Sequence, residues 1–194
     1  MAKSKKNTKV DTAAFEEFTI EFENETDRAA VVLGAAKIDQ VLYQILQAHL
    51  LPSPSRNDEL LDGNSALSSF SSRITMTYRL GLIDAALSRS LHMIRRIRNS
   101  FAHEVSGCSL SNGAQRDRVK ELALQFKKYK LFEQVRSKYF SNSKDSDPST
   151  EFRISLAILL ARLEVLLVNV EIIQPTKTYS PTTTSWELVE DEDE

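Results

Sequence analysis

Arg98, Asn99 and His103, within Arg98-Asn99-Ser100-Phe101-Ala102-His103, are the residues whose types and spacing could do chemistry in this chain. Histidine is the natural proton shuttle near neutral pH, and arginine is the natural stabiliser of phosphate charge. Together they suit cleavage of a phosphodiester without a metal. Asn99 and His103 stand at i and i+4, one above the other on a helix face. Arg98 and His103 are five apart and diverge by ~140°, so one straight helix cannot aim both at one small target. They converge if the helix loosens near its end, or if two copies cross at a dimer axis. The structural alternative places Arg98 in a core ion pair or on loop carbonyls, with Asn99 and His103 capping the helix end. Geometry alone favours that alternative.

The stretch that positions them is Leu87–His103, LSRSLHMIRRIRNSFAH. Wound as a helix, it puts Leu87, Leu91, Ile94, Ile97 and Phe101 within ~60° of Ile94, while His92, Arg96, Asn99 and His103 fall in a wedge on the far side. Arg98 breaks the division, lying only ~40° from Ile94. An arginine facing a core is rarely left unpaired, because a stranded charge costs several kcal/mol. Arg98, Asn99 and His103 are therefore expected to form one polar site at the end of this helix, either buried and structural or opening onto a shared cleft.

Other chemistries lack their residues. There is no GxxxxGKS/T loop, GxGxxG, CxxC, HExxH or GxSxG. Three scattered histidines do not make a metal set, although His92, Asn99 and His103 share a face, and no cofactor is expected. His49 reads as a packing or capping residue and His92 as solvated. The single cysteine, Cys108, has no activating context, excludes an intramolecular disulfide and suits a reducing compartment.

With 194 residues, 41% of them hydrophobic, one compact domain is expected. Five Gly and five Pro leave little turn material for an all-β fold. A net charge of −2 points to no nucleic-acid or membrane partner in bulk, although the ends are uneven. Lys3, Lys5, Lys6 and Lys9 crowd the start, and Glu187, Glu190, Asp191, Glu192, Asp193 and Glu194 the end. The start carries no apolar leader pattern, so a cytoplasmic location is expected.

Residues 1–14 read as a disordered basic arm, 15–173 as the helical domain and 174–194 as a flexible acidic tail. Helices are expected from Asn24, as cap, to Leu50, ahead of Pro52 and Pro54; from Ser65 to Leu80, with Gly81 as the left-handed C′ residue; and from an Asp84 cap to about Val105. A Ser111 cap opens one from Ala114 to Lys127, Leu131–Phe140 follows, and Ser141–Ser149 reads as a loop. The last helix runs from Thr150 to about Glu171. Its run Ile154–Ile173 has membrane-span length, but Arg162 and Glu164 at its centre would each cost ~2.5–3.5 kcal/mol in a bilayer. The sum is an all-α fold, a single antiparallel bundle of five or six helices, with the Leu87–His103 and Ile154–Glu171 helices at its centre.

One resemblance sharpens this. Leu67, Phe70-Ser71-Ser72-Arg73-Ile74, Tyr78, Leu80-Gly81-Leu82-Ile83 and Ile94-Arg95-Arg96-Ile97-Arg98-Asn99-Ser100-Phe101-Ala102-His103 follow the order FSxRI…LGLI…IRxIRNxFAH. In this the chain resembles the mannitol operon repressor (MtlR/MltR) family of bacterial proteins over about residues 15 to 172, with both arms outside. The resemblance implies a helical regulator of mannitol-operon expression without a recognisable helix-turn-helix, working through a protein partner or homodimer and at most weak DNA or RNA contact. Its binding residues would be Arg73, Arg95, Arg96, Arg98, Asn99 and His103. More loosely, RNSFAH resembles the R-x4-H motif of HEPN domains, many of them dimeric metal-independent endoribonucleases. That resemblance would make Arg98 and His103 an active pair with Asn99 in support.

Overall fold

The computed structural model describes residues 12–23, 25–103, 107–141, 143, 146–175, 179–181 and 186–188. The fold is all-α, built from α1 (Thr12–Glu23), α2 (Asp27–His49), α3 (Phe70–Arg79), α4 (Ala85–His103), α5 (Gly113–Lys127), α6 (Lys130–Tyr139) and α7 (Pro148–Asn169). Two short strands follow, β1 (Tyr179–Pro181) and β2 (Trp186–Leu188), paired antiparallel with Ser180 opposite Glu187. Seven helices among the described residues exceed the expected five or six because α1 begins inside the stretch assigned to the basic arm. The strand pair likewise stands within the stretch assigned to a flexible tail. Lys3, Lys5, Lys6 and Lys9 lie outside the described residues.

Most boundaries follow local chemistry. Thr26, rather than Asn24, caps α2, its Oγ1 accepting from Ala29 N at 3.2 Å; Asn24 lies outside the described residues. α3 starts at Phe70 and not at Ser65, because Ser69 and Ser72 form a reciprocal capping box. The preceding serines instead serve a turn, in which Ser68 Oγ donates to Ser65 O at 2.8 Å. The helix closes as expected on Gly81, at φ 72°, whose N–H donates to Tyr78 O while Leu82 N donates to Thr77 O.

Ser111 does not cap α5; the N-cap position is Asn112, without a side-chain hydrogen bond. α7 starts earlier than expected, because Asp147 is its cap and Pro148 fits its first turn. Asp147 Oδ2 accepts from Thr150 N at 2.9 Å and from Thr150 Oγ1 at 2.8 Å. The expected end of the central helix near Val105 lies outside the described residues.

Asp84 caps α4 as expected, Oδ1 accepting from Leu87 N at 2.7 Å. That hydrogen bond, helped by the Arg162 charge, holds the Asp84 carboxyl below the usual carboxylate range. Its stabilisation is therefore present above that range and lost as pH falls through the lowered folded-state value. Asp84→Ala should cost about 1 kcal/mol at neutral pH. Melting curves of the two proteins should converge in strong acid, and a gap that widens there would contradict the assignment.

Packing centres on α7, which is buried around its circumference from Thr150 to Leu160 and touches α1, α2, α5 and α6. The long apolar run is thus the bundle's interior. The second central helix is α2, packed on α3, α4 and α7, and not α4, which packs on α2, α3 and α5. α2 is also the one described helix long and apolar enough to cross a bilayer; half of its most apolar window is buried in the bundle. Gly34 fits its place, since a Cβ there would stand 2.2 Å from Leu156 Cδ2 and would push that buried side chain aside. After α7 the chain returns to α2: His49 Nδ1 lies 2.7 Å from Glu171 O, and Ile173 N donates to His49 O at 2.7 Å. Cys108 is half-buried against the core.

Candidate functional site

Where α3 begins, the bundle opens into a cleft of about 460 Å³ between α2, the start of α3 and the second half of α4. α2 contributes Ala35, Ala36, Asp39 and Gln40, the α3 entrance contributes residues 68–71 and Arg73, and α4 contributes Arg95, Arg98 and Asn99.

The three guanidinium groups differ in their ties. Arg73 is fixed: Nε donates to Leu67 O at 2.9 Å, Nη1 donates to Asp39 Oδ1 at 2.8 Å, and the group lies 5.2 Å from the Tyr43 ring centroid. Arg95 is half-buried, and its Nε is buried without a hydrogen-bond acceptor. Arg98 is exposed, its Nη1 donating to Asn99 Oδ1 at 3.3 Å. Among the described residues, no carboxylate forms an ion pair with Arg95 or Arg98.

The neighbouring His92 has its pKa lowered, first by burial and then by the charges of Arg95 and Arg96. It is thus half-buried rather than solvated.

Four of the six residues expected to bind come together here: Arg73, Arg95, Arg98 and Asn99. Arg96 and His103 are exposed and do not line the cleft. Of the expected trio, Arg98 and Asn99 line the cleft together, and His103 stands apart from it. The ~140° divergence along α4 persists to its end, because the helix stays regular through His103. Nor is Arg98 a buried structural arginine; its long stem follows the apolar flank while its head reaches the solvent of the cleft. Asp39 and the serines of the α3 entrance escaped the sequence reading. Asp39 lies four residues after Ala35 and four before Tyr43, a spacing that marks one helix face, but only its pairing with Arg73 reveals the role. Among the described residues, no three His, Cys, Asp or Glu gather as metal ligands.

No protein-family model matches the sequence, and no curated protein is significantly similar to it. Among solved structures, the chain is similar to the X-ray structure of the MtlR-HPr complex from Escherichia coli, at 15% identity and a TM-score of 0.50. The fold is MtlR-like. The likeness takes in 79% of this chain and 98% of the other, so it concerns a whole domain. On this MtlR-like fold the arginine cleft occupies the α2–α3–α4 quarter, away from the α5–α6 side.

Proposed function

We propose that the protein is a non-enzymatic regulator of the mannitol-repressor type that acts in the bacterial cytoplasm through a protein partner. The observation that carries this reading is the MtlR-like fold, because the similar structure is that of a complex between MtlR and another protein, HPr. The flank of α4 that bears Arg95, Arg96, Arg98, Asn99 and His103, with Arg73 beside it, is the proposed contact surface, where arginine favours anchoring contacts.

Two features support a regulator over an endoribonuclease. A general acid–base histidine must come within hydrogen-bond reach of the reacting group, and His103 does not line the cleft that holds Arg98. A chain of net charge −2 also offers few clustered cations for a phosphate backbone. Incubated with RNA in EDTA, the wild type and His103→Ala should leave the RNA equally intact. Cleavage that disappears in His103→Ala would replace this reading with a HEPN-like one. Against duplex DNA the isolated protein should show weak affinity that falls steeply with salt; tight, salt-insensitive binding to one operator sequence would contradict it.

A further inference from the structure

We infer that the cleft between α2, α3 and α4, where Arg73, Arg95 and Arg98 converge, binds the phosphate group of a small phosphomonoester. This goes beyond the regulatory reading and does not rest on it. The charges come first. Asp39 offsets Arg73 through a 2.8 Å ion pair, whereas Arg95 and Arg98 have no carboxylate partner among the described residues. Two uncompensated positive charges match the charge of about −2 that a phosphate monoester carries near neutral pH.

The donors come next. Arg95 Nε is buried without an acceptor, and such a group is costly unless something accepts its hydrogen. Arg95 lines the cleft and is half-buried, so its outer guanidinium nitrogens would meet a phosphate there, with Arg98 reaching the same group from the exposed side. Guanidinium forks suit phosphate geometry better than any other side chain. Phe70 and Ser71 also line the cleft at the first two positions of α3. Their N–H groups have no intrahelical acceptor and add the positive end of the helix to the arginine charges.

Size decides between a bare anion and an ester. At about 460 Å³ the cleft falls in the range of small-molecule sites, with room for an organic body beyond the phosphate. Its lining of serine hydroxyls, Gln40 and Asn99 suits a polar body. A duplex backbone is disfavoured, because the charge is concentrated in one concavity and not spread along a stripe.

Calorimetric titration of the full-length chain tests this, with glucose 6-phosphate, glycerol 3-phosphate and adenosine 5′-monophosphate as phosphomonoester probes. Inorganic phosphate, glucose and a phosphoserine peptide form the comparison arms. At least one phosphomonoester should bind below millimolar Kd and about tenfold more tightly than inorganic phosphate, and glucose should not bind. Arg98→Gln, at an exposed position, should melt as the wild type does and bind about tenfold more weakly. Arg95→Gln should weaken binding further, and Arg116→Gln on α5 should change nothing. No phosphomonoester binding, equal binding by Arg98→Gln, or binding confined to the phosphopeptide would overturn the proposal. Because Arg95 and Arg98 also stand on the proposed partner surface, loss of partner capture with phosphomonoester binding intact would count against that surface and not against this site.

Discussion

Replacement of Arg153 by alanine should destabilise the protein by about 3–5 kcal/mol, the cost of breaking a buried charge pair from one side. Arg153 is 8% exposed and joins α7 to the α1–α2 connection. Its Nε donates to Phe22 O at 2.9 Å, its Nη2 to Glu25 O at 2.6 Å, and its Nη1 to Asp27 Oδ1 at 3.1 Å and Ser149 O at 3.0 Å. Truncation would leave Asp27, among the described residues, with only the Ser149 hydroxyl and the Leu110 N–H, and would take the donor from the carbonyls of Phe22 and Glu25 at the α1–α2 connection and of Ser149 on α7. Arg153→Lys should recover part of the loss, because an ammonium keeps the charge but cannot span acceptors that lie in three directions. Urea unfolding should show the midpoint of Arg153→Ala falling with little change in slope. A midpoint shift worth less than about 1 kcal/mol would mean that the network is ornamental.

Leu159→Asp should abolish cooperative folding. Leu159 is fully buried near the middle of α7, the helix that packs on α1, α2, α5 and α6. The substitution removes about 2–5 kcal/mol of packing and places an unpaired carboxylate where no cation can reach it. Total stabilities of domains this size run to about 5–15 kcal/mol, so the combined cost consumes most or all of it. Near-UV circular dichroism should be lost and thermal unfolding should broaden to a drift. An unchanged melting temperature would show that α7 is not the interior of the bundle.

These two positions mark how far the sequence could be read. Leu159 was legible because it stands in the long apolar run that includes Leu156, Ile158, Leu160 and Leu163, the pattern of a deeply buried helix. Arg153 was not, because a helical wheel reports the side on which a residue stands and nothing about what stands opposite. The same limit inverted Arg98. Its wheel position lies among Leu91, Ile94 and Phe101, yet it is exposed and lines a cleft instead of entering the core.

The centre of the bundle passed from α4 to α2 for a related reason. Both helices pack on three others, but the exposed side of α4 is strongly polar, whereas that of α2 also carries Leu33, Ala36 and Ala48, so its faces divide less cleanly in sequence. α1 was missed although Asp11 and Thr12 are cap-type residues at its start, because the lysine-rich, aperiodic stretch before it reads as a disordered arm. Its attachment depends on distant residues, the Lys138–Glu16 pair at 2.6 Å and the carbonyls bound by Arg153. Of the site, the arginines could be read, but not the division of labour by which Arg73 is tied to Asp39 while Arg95 and Arg98 stay open.

The central claim is that the chain regulates through a protein partner and not by catalysis or by gripping nucleic acid unaided. Its most direct test is affinity capture from the native cell, after nuclease treatment, with the wild type and an Arg95→Glu/Arg98→Glu variant compared quantitatively and the captured protein reconstituted from purified components. The account predicts one partner at near-stoichiometric yield, binding directly in reconstitution and lost in the variant, which should itself remain folded. Capture of nucleic acid alone, or the absence of any protein that rebinds when purified, would contradict it.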